Sequence, residues 1–311
     1  MSDVHHYLEH HAQPAFLFTP DAEFPVCNAE KGLFGATFVS APIEDGRIRS
    51  WSGAEVTNAI PGESICELAV DAAELPAPAA HADRITIEAV APGRTRITAH
   101  GIGGHASLPA GSINAVGLIV AYLRQLEGVL APEEERFVAL LERVHADTAG
   151  EAMGVASANE AFGPLTIIAS VIEVADGRIR QSVDSRYPSS ITADEMADTL
   201  GTLAAAYGAT LEVDSTKVPF SVDASHPAVQ ALLDVYTHVT GNEAKPFSMG
   251  GGTYARNFAC AVSFGPEDAK LEMPDWVGPM HGADEGASEA QLRQALKIYI
   301  LALLRIMELD L

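Results

Sequence analysis

The stretch Phe16-Leu17-Phe18-Thr19-Pro20-Asp21-Ala22-Glu23-Phe24-Pro25 constrains this chain more than any other. A hydrophobic run from Ala15 to Phe18 reads as a buried strand, and Pro20 stops it where two carboxylates appear. Open α/β sheets carry their chemistry at the carboxyl ends of such strands. Pro20 and Pro25 each fix their own φ and restrict the residue before them, so Asp21 is carried on stiff backbone. A hard oxygen donor held this way suits a metal site. An Asp that caps a turn is the other reading of the same residues.

At 311 residues, 48% of them hydrophobic and 20% charged, the chain has the size of two ordinary domains and the composition of a folded protein. Nineteen Lys and Arg against 42 Asp and Glu leave a net charge of -23, which argues against nucleic acid or an anionic membrane as partner. Cys27, Cys66 and Cys260 are odd in number, widely spaced and without a CxxC pair, as expected for free thiols in a reducing, cytoplasmic setting. The N-terminus lacks a basic segment followed by an apolar one, so no signal peptide is read. The apolar segment Leu296 to Met307 is short and flanked by charges, and is expected to be a buried helix.

Residues 3–12 read as a short polar helix in which His6 and His10 share a face, a spacing that can bind metal but equally fits an exposed polar helix. After Lys31-Gly32, strands are expected over Leu33–Ser40, Ser64–Val70, Arg84–Val90 and Arg94–His100. The loop Gly101-Ile102-Gly103-Gly104-His105-Ala106-Ser107 then delivers one histidine to a helix over Ser112–Leu130, and Pro132 opens the next helix. Strands at Pro164–Val174 and Arg178–Asp184, a helix at Ala193–Tyr207 and a strand at Thr210–Val213 close this region near Pro219. A helix at Pro227–Thr240, a strand at Ala259–Phe264 and a long last helix, with Ser288 and Gln291 as a capping box, complete the chain.

Singly these motifs are weak, and Gly250-Gly251-Gly252-Thr253 lacks the Lys-Ser/Thr of a phosphate loop. Their order is more specific. The segments Pro20-Asp21-Ala22-Glu23-Phe24-Pro25, Gly104-His105-Ala106-Ser107, Arg186-Tyr187-Pro188, Gly250-Gly251-Gly252-Thr253-Tyr254 and Met280-His281-Gly282-Ala283-Asp284-Glu285 resemble the zinc aminoacylase/carnosinase family of metallopeptidases, and within it the bacterial Xaa-His and broad-specificity dipeptidases.

The resemblance implies an α/β catalytic domain, present in part as residues 1–31 and 219–311, and a large α+β, ferredoxin-like lid domain inserted at 32–218. It implies zinc-dependent hydrolysis of dipeptides at a site of two ions. Asp21 would be a ligand to one zinc and His281 to the other. His105 would donate to the developing oxyanion, Arg186 and Asn58 would hold the substrate carboxylate, and Gly250, Gly251, Gly252 and Thr253 would offer their amides to the same end. Glu285 would be structural. The enlarged lid implies that the complete enzyme is a monomer.

The family's zinc pair also needs an upstream His-x-Asp motif, a bridging Asp and a Glu-Glu pair, and none can be placed before Asp21. The chain is therefore expected to be a truncated portion, inactive alone and exposing apolar surface, whose partners are a dipeptide and a missing N-terminal half. Two alternatives stand beside this: a non-catalytic dipeptide-binding protein, and an N-acyl amino acid deacylase or desuccinylase.

Overall fold

The computed structural model describes residues 2–278 and 284–311. The chain divides into two compact units: a split unit of Met1–Lys31 with Pro219–Leu311, and a central unit of Gly32–Val218.

In the split unit, Leu17–Thr19 runs parallel to Ala261–Ser263, which neighbours Cys27–Glu30; that strand in turn pairs with Phe220–Ser221 and with Phe247–Met249. The first strand starts two residues later than the hydrophobic run suggests, and Thr19, not Phe18, is its buried last residue. The first helix of this unit is α1 (Ser2–His10). Its core is aromatic, with Phe24 edge-on to Phe264 at 4.8 Å between ring centroids and both rings near Tyr299.

The central unit holds two four-stranded antiparallel sheets. One has the order Thr166–Ala175, Arg178–Tyr187, Gly32–Val39, Thr210–Lys217. Helices lie between its first and second strands in sequence and between its third and fourth, which is the split β-α-β-β-α-β arrangement. The other sheet, Ile48–Ser52, Glu63–Leu68, Arg94–His100 and Ile85–Ala91, falls within the long first connection, together with α2 (Ala115–Leu123) and α3 (Pro132–Val144). α4 (Ala193–Ala206) packs beside Thr210–Lys217. Ile48–Ser52 is absent from the sequence reading because Arg49, Ser50 and Ser52 interrupt the apolar signal, leaving only Ile48 and Trp51 buried.

Two boundaries differ from expectation for local reasons. α2 begins at Ala115 because Asn114 caps it, its side chain accepting from Val116 N, and it stops short of the glycine turn at Gly128. Arg178–Tyr187 continues past Asp184, so Arg186 is a ladder residue opposite Thr166 and Leu33.

α5 (Pro227–Thr240) and α6 (Glu289–Met307) complete the split unit. Ser288 caps α6 by accepting from Gln291 N at 3.1 Å, but the Gln291 Oε1 atom is buried without a hydrogen-bond partner among the described residues, so the reciprocal half of the box is not made. α6 also corrects the expectation of a buried helix. Ile298 and Ala302 face the core, whereas Leu296 is 60% exposed and Ile300, Leu303, Leu304 and Met307 are exposed with it. Among the described residues no helix is long and apolar enough to cross a membrane.

Candidate functional site

In the central unit, three of the expected residues come from distant points in sequence to one region. A two-residue ladder pairs Ala59–Ile60 with Gly104–His105, and Ala106 N donates to Asn58 O at 2.9 Å. The loop before the histidine is held by a bridge between Ile102 and Ile113. Gly101 is required there, because a Cβ would lie 2.0 Å from the Ile113 carbonyl oxygen.

The His105 ring is polarised by its neighbours. Ser107 N, which can only donate, lies 3.2 Å from Nδ1, and Ser107 Oγ lies 2.7 Å from the same atom. Nδ1 therefore accepts from Ser107 N, and Nε2 lies 3.4 Å from Asn58 Nδ2, which can only donate, so both ring nitrogens face a donor.

Arg186 and Asp184, two apart on a strand and so on one face, form a two-point pair: Nε to Oδ1 at 2.7 Å and Nη2 to Oδ2 at 3.2 Å. Both side chains are largely buried, 9% and 14% exposed. Burial pushes the Asp184 carboxyl up, and the charge and hydrogen bonds of Arg186 and then the charge of His105 pull it back. Asp184 was not among the residues expected at a site; its signal in the sequence is the i, i+2 spacing from Arg186.

In the split unit, Asp21 is exposed between Leu17–Thr19 and Ala22–Glu23, with Ala22 N tied to Gly265 O. The nearby Glu30 is 2% exposed. Its Oε1 accepts from Thr253 N at 3.1 Å and Thr253 Oγ1 at 2.6 Å, and Arg256 Nε stands 3.6 Å from Oε2. Burial pushes the Glu30 carboxyl up; the Thr253 bonds and Arg256 draw it down, and the Asp21 charge adds a push up.

This changes the part Thr253 plays. Its amide and hydroxyl, expected to face substrate, are spent on Glu30, and the hydroxyl also meets Ser263 Oγ at 2.7 Å. Gly252 admits Arg256 beneath it, since a Cβ there would lie 2.7 Å from Arg256 Nη1. The glycine loop from Gly250 thus closes over a buried Glu30–Thr253–Arg256 group. The sequence hint was the charged Glu30 closing an otherwise buried strand.

His281, the other expected metal ligand, lies outside the described residues. Among the described residues Asp21 belongs to no group of three His, Cys, Asp or Glu donors close enough to share an ion. Zinc favours three or four nitrogen, sulfur or oxygen ligands from the protein. One exposed carboxylate falls short of that set.

No protein-family model matches the chain. It is similar to curated relatives along most of its length. It is 29% identical over 278 residues to the Bacillus subtilis (strain 168) protein named "Putative dipeptidase YtjP", covering 85% of this chain and 58% of that one. It is 27% identical over 317 residues to the Beta-Ala-Xaa dipeptidase of Lactobacillus delbrueckii subsp. lactis, covering 96% and 64%. Among solved structures, the crystal structure of aminoacylhistidine dipeptidase from Vibrio alginolyticus aligns with TM-score 0.47 and 17% identity over 95% of this chain and 67% of that chain. The chain therefore spans less than two thirds of the length of these curated relatives.

Proposed function

We propose that this chain is the lid and the C-terminal catalytic portion of a cytoplasmic zinc dipeptidase, binding a dipeptide but not hydrolysing it alone. One observation carries the reading: Asn58, His105 and the Arg186–Asp184 pair converge in a chain similar over 85% to 96% of its length to proteins named dipeptidases. In this proposal residues 32–218 are the lid, and 1–31 with 219–311 are the catalytic part. Arg186 and Asn58 take the substrate's terminal carboxylate, and His105 donates to the developing oxyanion at the scissile carbonyl. Gly250, Gly251 and Gly252 offer their amides to the substrate. Asp21 and His281 are its metal ligands in the complete enzyme, which is a monomer.

Two observations support the portion being insufficient for hydrolysis. The donors around Asp21 fall short of a zinc site among the described residues, and the outward row of α6 is the kind of apolar face that a larger α/β layer covers. The first of these also favours a second reading, a dipeptide-binding protein without catalysis. The two separate in one assay of amino acid release from a dipeptide panel with added zinc. The chain alone releases nothing above the blank. Co-expression with an N-terminal segment carrying the His-x-Asp and Glu-Glu motifs restores release if the chain is part of an enzyme, and does not if it is a binding protein. Release by the chain alone that His105→Ala abolishes would overturn the claim of insufficiency.

A further inference from the structure

α1 presents a second chemistry. Val4 and Leu8, four apart, fix the helix to a small core of Ala255, Phe258 and Ala261, and Tyr254 Oη donates to Asp3 at 3.2 Å. The opposite face carries His6, Glu9 and His10, all exposed, at the i, i+3, i+4 spacing that stacks side chains on one helix face. One donor atom from each of the three lies within 4.8 Å of the others, the only such trio of His, Cys, Asp or Glu among the described residues. The His6 and His10 rings stand 4.3 Å apart between centroids.

A second observation concerns the tautomer. His10 Nδ1 lies 2.8 Å from the His6 carbonyl oxygen, which can only accept, so Nδ1 carries the hydrogen and Nε2 keeps its lone pair. Histidines that ligate metals are commonly oriented in this way, by a backbone carbonyl on the other ring nitrogen. We propose that His6, Glu9 and His10 form a surface site for one divalent transition-metal ion of zinc type, with water completing the coordination. A tetrahedral zinc with bonds of about 2.1 Å sets its donors about 3.4 Å apart, so the exposed side chains need only turn inward from their present spread. Two imidazoles with one carboxylate favour zinc, nickel or copper over the hard ions calcium and magnesium. The net charge of -23 raises the local concentration of any cation.

The test is calorimetric titration of the whole chain with zinc chloride, repeated with magnesium. Wild type binds one zinc dependent on this trio and no magnesium there. His6→Ala and His10→Ala each weaken that binding about tenfold or more. His5→Ala with His11→Ala, also exposed on this segment, keeps it. Because alanine favours a helix, loss of binding is not loss of α1, and far-ultraviolet circular dichroism checks this. Cobalt(II) gives a second readout, as d–d absorption present in wild type and absent from the His6→Ala/His10→Ala double variant. Zinc binding undiminished in the double variant, lost equally in the His5/His11 variant, or absent from wild type overturns the proposal.

Discussion

The two units solve the same packing problem with different completeness. The central unit buries α2 almost entirely, with Ala115, Val116, Leu118, Ile119, Val120, Tyr122 and Leu123 all inside, and its exposed apolar residues, such as Val56, Leu108 and Val213, are scattered. The split unit ends in a helix that is apolar on two faces, with a core side of Ala295, Ile298 and Ala302 and an outer row from Leu292 to Met307. The contrast teaches that the central unit buries its most apolar helix, while among the described residues of the split unit an apolar row of α6 stays exposed.

The largest expected effect breaks or upholds that contrast directly. Leu141→Ala, in the last turn of α3 and fully buried, costs about 2–5 kcal/mol in urea unfolding. Leu296→Ala on α6 changes stability by no more than about 0.5 kcal/mol. A loss at Leu296 comparable to that at Leu141 would show that the outer row is packed after all.

pH sharpens the comparison, because the units hold titratable groups of opposite sign. Burial lowers His145 in the central unit from 6.5 to about 4, with Gln181 pulling it back. Its folded value lies below its unfolded one, so the contribution, up to about 3 kcal/mol, is complete above pH 6.5 and is lost as pH falls toward 4. Glu30 in the split unit is shifted up from 4.5, chiefly by burial, so its contribution is complete below 4.5 and is lost as pH rises through the raised value. Asp184, also raised by burial, works in the Glu30 direction inside the central unit. Substitution therefore isolates each group. His145→Gln flattens the acid-side fall in protection of the central unit by hydrogen exchange, and Glu30→Gln flattens the alkaline-side fall of the split unit. Unchanged slopes would contradict the assignment.

A smaller effect is expected at Thr253→Val, which leaves Glu30 Oε1 with one donor instead of two and costs about 1–3 kcal/mol by thermal unfolding. Smallest is Arg293→Ala, which removes an exposed pair with Glu289 and shifts stability by about 0.5 kcal/mol or less.

Much of the chain order was legible because the strands of the central unit keep a period of two and its turns carry Gly, Pro and Asp, as at Asp176-Gly177 between paired strands. Ile48–Ser52 was not, since an edge strand with two buried residues leaves too little pattern. At the candidate site, His105 and Arg186 could be named from their motifs and Asn58 only as what the family resemblance implies, but not their companions. Asp184 and Glu30 matter through burial against a partner far away in sequence, or through which face of a strand they share, and a single sequence states neither. Thr253 shows the converse: its motif marks it, yet its donors point inward to Glu30. The outer row of α6 was misread because an apolar segment announces burial without saying what buries it.

The account turns on the central unit recognising a dipeptide through its carboxylate, and calorimetric titration with one dipeptide and its C-terminal amide tests this most directly. The free acid is expected to bind, and amidation or Arg186→Ala to weaken it about tenfold or more, the equivalent of one charge-assisted hydrogen-bonded contact. Equal binding of acid and amide, or binding indifferent to Arg186, would contradict it.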